Sequence, residues 1–281
     1  LRVTVTRNLT EAIRQNDVKI WIEGKSAECL ALERELIEAF GLRESVVVPE
    51  PMSPDLIPRS IGIAAGAYMS EHLRDGATIG VGWGATLYES LQTLSPRELN
   101  NVEVVSLLGG IVQARRFNPA EFAWQFANTV GADCYLLTAP AVVDSPETRR
   151  ALIERCGLDG VLNRADNMNM ALVSVGTMSA LSTSFRFGFM SEADRQSLVA
   201  ANAVGDLLYH FFDAEGRIVD HPINARVMSM PIERLRKVPR RVLISGGNDK
   251  VPALLAGMKL SAANVLITNE DTARALLEPR G

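Results

Sequence analysis

The chain has 281 residues, 47% of them hydrophobic, enough to bury a large core in one domain or two unequal ones. Its net charge of −4 argues against most of it forming a nucleic-acid-binding surface, and no apolar run approaches a membrane span. Cys29, Cys134 and Cys156 form no CxxC and fit a reducing cytoplasm, while His72, His210 and His221 lack metal-ligand spacing, so no metal site is expected.

Residues 1–22 stand apart, with Arg2, Arg7, Arg14 and Lys19 against Glu11 and Asp17. Val5, Leu9, Ala12 and Ile13 share a helical face, Thr6, Arg7 and Arg14 lie elsewhere, and the alternating run Asp17 to Ile22 reads as a strand. A basic helix leading into a strand has the form of the last helix and wing of a winged helix-turn-helix; an ordinary amphipathic surface helix has the same composition. A start at Leu1 rather than Met reads as a fragment.

A helix is expected over Ala27 to Phe40, a short buried strand at Val46 to Val48, and a loop at the proline-rich Pro49 to Pro54. A second helix, Ser60 to Leu73, carries Gly62, Ala64, Ala65, Gly66 and Ala67, small residues suited to close packing on a sheet. The strand Ala77 to Val81 then runs into Gly80-Val81-Gly82-Trp83-Gly84-Ala85-Thr86 and a helical pattern of Leu87, Leu91 and Leu94. Alternating glycines at a strand-to-helix turn let a backbone approach a ligand closely, and helix-start amides have no internal partner, so this turn fits a phosphate or a polyol oxygen. It fits an unliganded αβ turn equally well.

The alternation becomes regular from there. Strand Val102 to Leu107 leads to Leu108-Gly109-Gly110 and helix Pro119 to Val130; strand Cys134 to Leu137 leads to helices Pro146 to Cys156 and Leu158 to Arg164; strand Met170 to Val175 ends in Gly176-Thr177. Apolar runs alternating with helices predict an α/β fold, a doubly wound, mostly parallel, Rossmann-like sheet whose ligands bind beyond the carboxyl ends of the strands. In the last third, the apolar segment Gly205 to Phe212 ends in the turn Asp213 to Gly216, and Asn224 to Arg226 leads into a strand at Val227 to Met230. One helical turn at Pro231 to Leu235 precedes strand Val242 to Ile244, the loop Ser245 to Lys250 and a helix from Pro252. Strand Val265 to Thr268 and helix Glu270 to Leu277 close the chain.

The ordered blocks GVGWGATL, VSLLGG, VGDLLYHFFDAEG, SGGNDK and VLITNEDTARALL resemble the SorC family of bacterial sugar-responsive transcriptional regulators, from about Ala27 to the C-terminus. VTRNLTEAIRQNDVKIWI resembles the end of that family's helix-turn-helix. The resemblance implies an effector-binding domain similar to the glucosamine-6-phosphate deaminase and ribose-5-phosphate isomerase fold, here 23–281. Residues 1–22 would be a remnant of the DNA-binding domain, with Thr6 and Arg7 on its DNA-facing part. The implied partners are a sugar, sugar alcohol or sugar-phosphate effector, operator DNA, and further copies in a homodimer or homotetramer.

The family match assigns effector contacts to Gly82, Gly84, Ala85 and Thr86 in a phosphate loop, to Gly109, Gly110 and Gln113 at the second glycine turn, and to Asp213, Arg226 and Lys250. Leu108 stands where some members hold an aldehyde sugar on a lysine, and Arg115-Arg116 is either an anion contact or solvated charge. A phosphate on backbone amides with a nearby cation gains charge-assisted bonds, and a carboxylate can accept two sugar hydroxyls. The competing reading, a sugar-phosphate isomerase or deaminase, needs a placed general base and acid, and no histidine–carboxylate set accompanies the glycine turns. A nicotinamide dehydrogenase fits poorly: the spacing is GxGxG, and Val102 to Leu107 lacks a ribose-binding acid at its end. No cofactor is expected.

Overall fold

The protein is described by a computed structural model covering residues 26–96, 99–111, 118–186 and 190–278. The segment read as a helix-turn-helix remnant, with Thr6 and Arg7, lies outside the described residues. Helix α1 (Ala27–Phe40) is capped by the Ser26 hydroxyl, which accepts from the Cys29 amide, and stops at Gly41 in the left-handed conformation. Strand β1 (Glu44–Val48), a loop and helix α2 (Ile57–His72) follow. Strand β2 (Thr78–Val81) runs through the glycine turn into the short helix α3 (Ala85–Glu89). Next come β3 (Glu103–Ser106), α4 (Pro119–Val130), β4 (Asp133–Tyr135), α5 (Pro146–Arg155), α6 (Leu158–Ala165) and β5 (Met170–Val173).

The expected single strand Met170 to Val175 breaks at Ser174. Its second part becomes β6 (Val175–Thr177), which leaves the large sheet and starts a small antiparallel one with β7 (Gly205–Leu207) and β8 (His210–Phe212). Between them lie α7 (Thr183–Arg186) and α8 (Glu192–Ala200), the latter opened by a reciprocal capping box of Ser191 and Asp194. The expected strand at Val227 to Met230 forms only isolated bridges, Val227 with Val142 and Ser229 with Leu108. Helix α9 (Ile232–Leu235), strand β9 (Arg240–Ile244), helix α10 (Val251–Ser261), strand β10 (Val265–Asn269) and helix α11 (Glu270–Leu277) complete the fold.

The main sheet has seven strands in the order β1-β10-β9-β5-β2-β3-β4, every neighbouring pair parallel. Period-two alternation splits its side chains between two apolar layers. Ile79, Val81, Leu172, Val242, Ile244 and Ile267 pack under α2, α3 and α4 with Ile61, Leu87 and Phe126. Val47, Val105, Ala171, Val173, Leu243 and Leu266 face the other layer, with Leu36, Leu162, Leu254, Leu276 and the apolar residues of the small sheet. The doubly wound parallel α/β sheet expected from the sequence is the observed architecture.

Strand order reverses between β2 and β5: β2 is followed outward by β3 and β4, and β5 by β9 on the opposite side. The crevice beyond their carboxyl ends is the topological switch point, where open α/β sheets bind ligands. Gly82–Thr86 and Ser174–Gly176 line that crevice.

Candidate functional site

The glycine turn is fixed on one side and open on the other. The Gly82 amide donates to Leu172 O at 2.8 Å, and a Cβ there would press on Leu172 O and the Leu208 side chain. Trp83 is buried and stacks on Tyr209 with ring centroids 5.2 Å apart. Gly84 has φ +128° and ψ 163°, a conformation essentially confined to glycine, and a Cβ there would meet only Ser174, at 4.0 Å. Among the described residues the amides of Gly84, Ala85 and Thr86, at the start of α3, have no hydrogen-bond partner.

A buried carboxylate lies on the small sheet, against Gly176 of β6. Asp206, in β7, is 2% exposed; its Oδ1 accepts from the Ser184 hydroxyl at 2.7 Å and its Oδ2 from the Tyr209 amide at 3.2 Å. Gly176 is packed so closely against this carboxylate that a Cβ would overlap Oδ1. Burial pushes the Asp206 pKa up to about 6, against the two hydrogen bonds and the Lys250 charge, which pull it down.

Lys250 ends the loop after β9, in a turn that packs on β6. Burial lowers its pKa from the usual lysine value, and the charges of Asp249 and Asp206 oppose that shift. Among the described residues its ammonium has no hydrogen bond and no carboxylate within ion-pair distance. The wholly buried Ser245 hydroxyl, on the same loop, is also without a partner. The elements bordering the crevice therefore carry unpaired amides, a cation with unfilled donors and a carboxylate with unused acceptor capacity, groups of the kind that complement a polyol or its phosphate.

Gly82, Gly84, Ala85 and Thr86 lie together in the turn after β2, and Lys250 lies in the turn that packs on β6. The other expected contacts among the described residues have local partners or packing of their own. Gly109 is a packing residue, where a Cβ would collide with Ala139 and Pro140, and the amides of Gly109 and Gly110 are taken, donating to Met228 O and Ala139 O, both at 2.8 Å. Leu108 is buried and bridged to Ser229. Asp213 closes its own turn, its carboxylate accepting from the Glu215 and Arg217 amides and from the Arg217 guanidinium, all within 3.0 Å. Gly216 of that turn abuts Ala256 and Lys259, toward the far end of α10 from Lys250. Arg226 reaches Val143 O at 3.4 Å and has Asp194 as its charged neighbour. Gln113, Arg115 and Arg116 lie outside the described residues.

The acid that the sequence reading missed is Asp206. Its signal was present: a carboxylate inside the apolar run Gly205 to Phe212, with no polar period to carry it to solvent, has to be buried against a partner.

A doubly wound α/β domain with a polar crevice at its switch point is a small-molecule-binding domain. Residues 25–278 match the Sugar-bind family, described as "Putative sugar-binding domain", and the chain belongs to it. It is 34% identical over 279 residues to a deoxyribonucleoside regulator of Bacillus subtilis, covering 98% of this chain and 88% of that protein. It is 28% identical to the erythritol catabolism regulatory protein EryD of Brucella abortus, covering 99% and 89%. The full-length sorbitol operon regulator SorC of Klebsiella pneumoniae superposes with a TM-score of 0.82 at 25% identity, over 99% of this chain and 90% of that one. These relatives are regulators of sugar-related operons, as the SorC resemblance implied, and they do not favour the isomerase or deaminase reading.

Proposed function

We propose that this chain is the effector-sensing part of a DNA-binding transcriptional regulator that takes a sugar, sugar alcohol or sugar phosphate into the crevice between β2 and β5. One observation carries the reading: the Lys250 turn packs on β6, where Gly176 abuts the buried Asp206 carboxylate, and Ser174, just before β6, adjoins Gly84 of the glycine turn. The Gly84 amide is unpaired among the described residues, as are those of Ala85 and Thr86. In this arrangement the amides and Lys250 hold an anionic or electron-rich end, and Asp206 accepts hydroxyls. Asp206 takes the role first given to Asp213.

The protein acts as a sensor and not as a catalyst. A deaminase or isomerase needs a base placed to exchange protons with a reacting carbon. His210, the histidine nearest the crevice in sequence, is buried against Ser229 Oγ at 2.8 Å and Met230 O at 3.2 Å, and burial pulls its pKa down to about 4. Residues 1–22 would belong to the DNA-binding part. The protein would act in the cytoplasm as a homodimer or homotetramer whose assembly and operator binding respond to the effector.

A thermal-shift and calorimetric screen of sugars, sugar alcohols and their phosphates tests the reading. A cognate ligand raises the melting temperature and binds saturably without product. Lys250→Ala and Asp206→Ala each weaken it by at least tenfold, while Asp213→Ala leaves affinity within about twofold. Turnover of any panel compound, or undiminished binding by the Lys250 and Asp206 variants, refutes it.

A further inference from the structure

The loop that carries Lys250 is held by an unusual arrangement at the start of α11. Asn269 occupies the N-cap position of this helix, where an asparagine ordinarily accepts from the helix's own first amides, yet its side chain makes no such bond. Its Oδ1 instead accepts the Thr272 hydroxyl at 2.7 Å, and its Nδ2 donates to Glu50 Oε2. The same Glu50 oxygen accepts the Asp271 amide at 3.3 Å, so a residue just after β1 caps α11 in place of Asn269. Thr272 Oγ1, with its proton committed to Asn269, accepts from the amide of Gly247 at 2.8 Å.

Asn269 and Thr272 are both completely buried, so the bonds from Thr272 to Asn269 and from Gly247 to Thr272 have no water to replace them. Gly247 has φ +112°, and Gly246 packs so tightly on the Asn269 side chain that a Cβ would overlap it. The chain of bonds continues outward. The Glu50 amide donates to Glu270 Oε2 at 3.5 Å, Arg274 pairs with Glu270 at 2.7 Å, and the same guanidinium nitrogen of Arg274 pairs with Glu28. Glu28 is in the first turn of α1, which the chain reaches directly from residues 1–25.

We infer that Glu50, Asn269 and Thr272 form a latch that positions the Lys250 loop for its ligand and ties that loop, through Glu270 and Arg274, to the first turn of α1. The inference rests on the crevice reading for the identity of the loop's ligand, although the latch is a property of the free protein. Asn269 supplies two states: engaged with Glu50 and Thr272 as observed, or turned to cap its own helix, which frees Thr272 and releases Gly247. A ligand that draws on Lys250 favours one of these states, and α1 feels the change. Glu50, Asn269 and Thr272 are positioning residues that act through the loop.

Amide hydrogen exchange on the unliganded protein tests the latch, comparing the parent with Thr272→Val, Glu50→Ala and Arg274→Gln. Thr272→Val keeps the buried volume and removes the acceptor of the Gly247 amide, and Glu50→Ala serves if that variant fails to fold. Either accelerates exchange over residues 246–250 by roughly tenfold and over residues 27–31 by about threefold, with peptides of β2 and β3 unchanged. Arg274→Gln accelerates residues 27–31 alone. Unaltered exchange at 246–250, or acceleration spread evenly over the protein, overturns the latch; acceleration at 246–250 with none at 27–31 overturns its link to α1. Titration of the parent with D-ribose 5-phosphate and the rest of the screening panel separates the two proposals. Failure of every compound to bind defeats the crevice reading and leaves the exchange result standing.

Discussion

Asp206 places a buried carboxylate where folding alone would not keep one, and Asp206→Asn measures the consequence. Its pKa rises from 3.8 to about 6 on folding, so at pH 7.5 ionised Asp206 destabilises the fold by roughly 3 kcal/mol relative to its protonated form. Asparagine removes that penalty. Its oxygen can still accept from Ser184, but its amide nitrogen then faces the Tyr209 N–H, leaving a bond unmade at about 1–3 kcal/mol. At pH 7.5 the variant is therefore equal to the parent or up to about 2 kcal/mol more stable.

The pH dependence is the sharper test. Between the unfolded and folded pKa values the native state binds the extra proton, so the parent gains stability as pH falls through 6, whereas asparagine has no proton to take up. Urea unfolding of both proteins at pH 7.5 and 4.5 should show the variant's relative stability dropping by about 2 kcal/mol at the lower pH. A difference that stays constant within about 0.5 kcal/mol would show that Asp206 does not titrate as its surroundings require.

His210 titrates in the opposite sense. Its pKa falls from 6.5 to about 4, so its stabilising contribution is complete above 6.5 and lost as pH drops toward 4. His210→Gln should gain about 2–3 kcal/mol relative to the parent between pH 7.5 and 4.5, read by the same unfolding curves. Gly84→Ala forces a glycine-only conformation without a clash; it should destabilise by about 1–3 kcal/mol and abolish ligand binding in the calorimetric screen. Tyr68→Phe tests the opposite rim, where the Tyr68 hydroxyl donates to Glu44 at 2.8 Å and accepts from Arg240. Burial raises the Glu44 pKa, but the hydrogen bonds of Tyr68 and Arg240 and the Arg240 charge outweigh it and hold the carboxyl below its usual range. The variant should lose about 1–2 kcal/mol with ligand affinity unchanged.

The parts of the fold legible in the sequence are those set by local pattern. Helices Ala27–Phe40, Pro119–Val130 and Glu270–Leu277 have the bounds their apolar stripes and caps predict. The strands of the parallel sheet showed as apolar runs because both faces are covered. Residues 178–204, between β6 and β7, had no reading, since α7 is a single turn and α8 buries only Leu198. The break at Ser174 was hidden for a different reason: a single serine does not end the apolar run Met170 to Val175, and only the tertiary pairing of Val175 with Leu207 moves it into another sheet.

In the proposed site, Lys250 and the glycine turn are the contacts that motif and position already suggest. For Asp213, Gly109 and Gly110 the sequence does not reveal that their polar groups already have partners in the fold, Asp213 in its own turn and the two glycine amides on Met228 and Ala139. FFDAEG is a turn signature, and its aspartate accepts the two amides that such a turn leaves bare. Asp206, in the apolar stretch, is buried instead, with one bond from the Tyr209 amide of its own hairpin and one from the distant Ser184 hydroxyl.

The hairpin that delivers Asp206 explains why it stays in place. A two-residue connection between β7 and β8 puts both central residues at positive φ, which usually calls for asparagine and glycine; here they are Leu208, at 53°, and Tyr209, at 62°. Such conformations are costly for large side chains, and they persist because burial fixes them from several sides. Leu208 packs on Gly82, the Tyr209 ring stacks on Trp83, its hydroxyl donates to Ser184 O at 3.3 Å, and its amide donates to Asp206. The turn and the glycine loop therefore hold each other, and the carboxylate between them is fixed by the contacts that offset the strain. A ligand bridging Gly84 and Asp206 would find both already at their final spacing, so little of its binding energy would go into ordering the pocket.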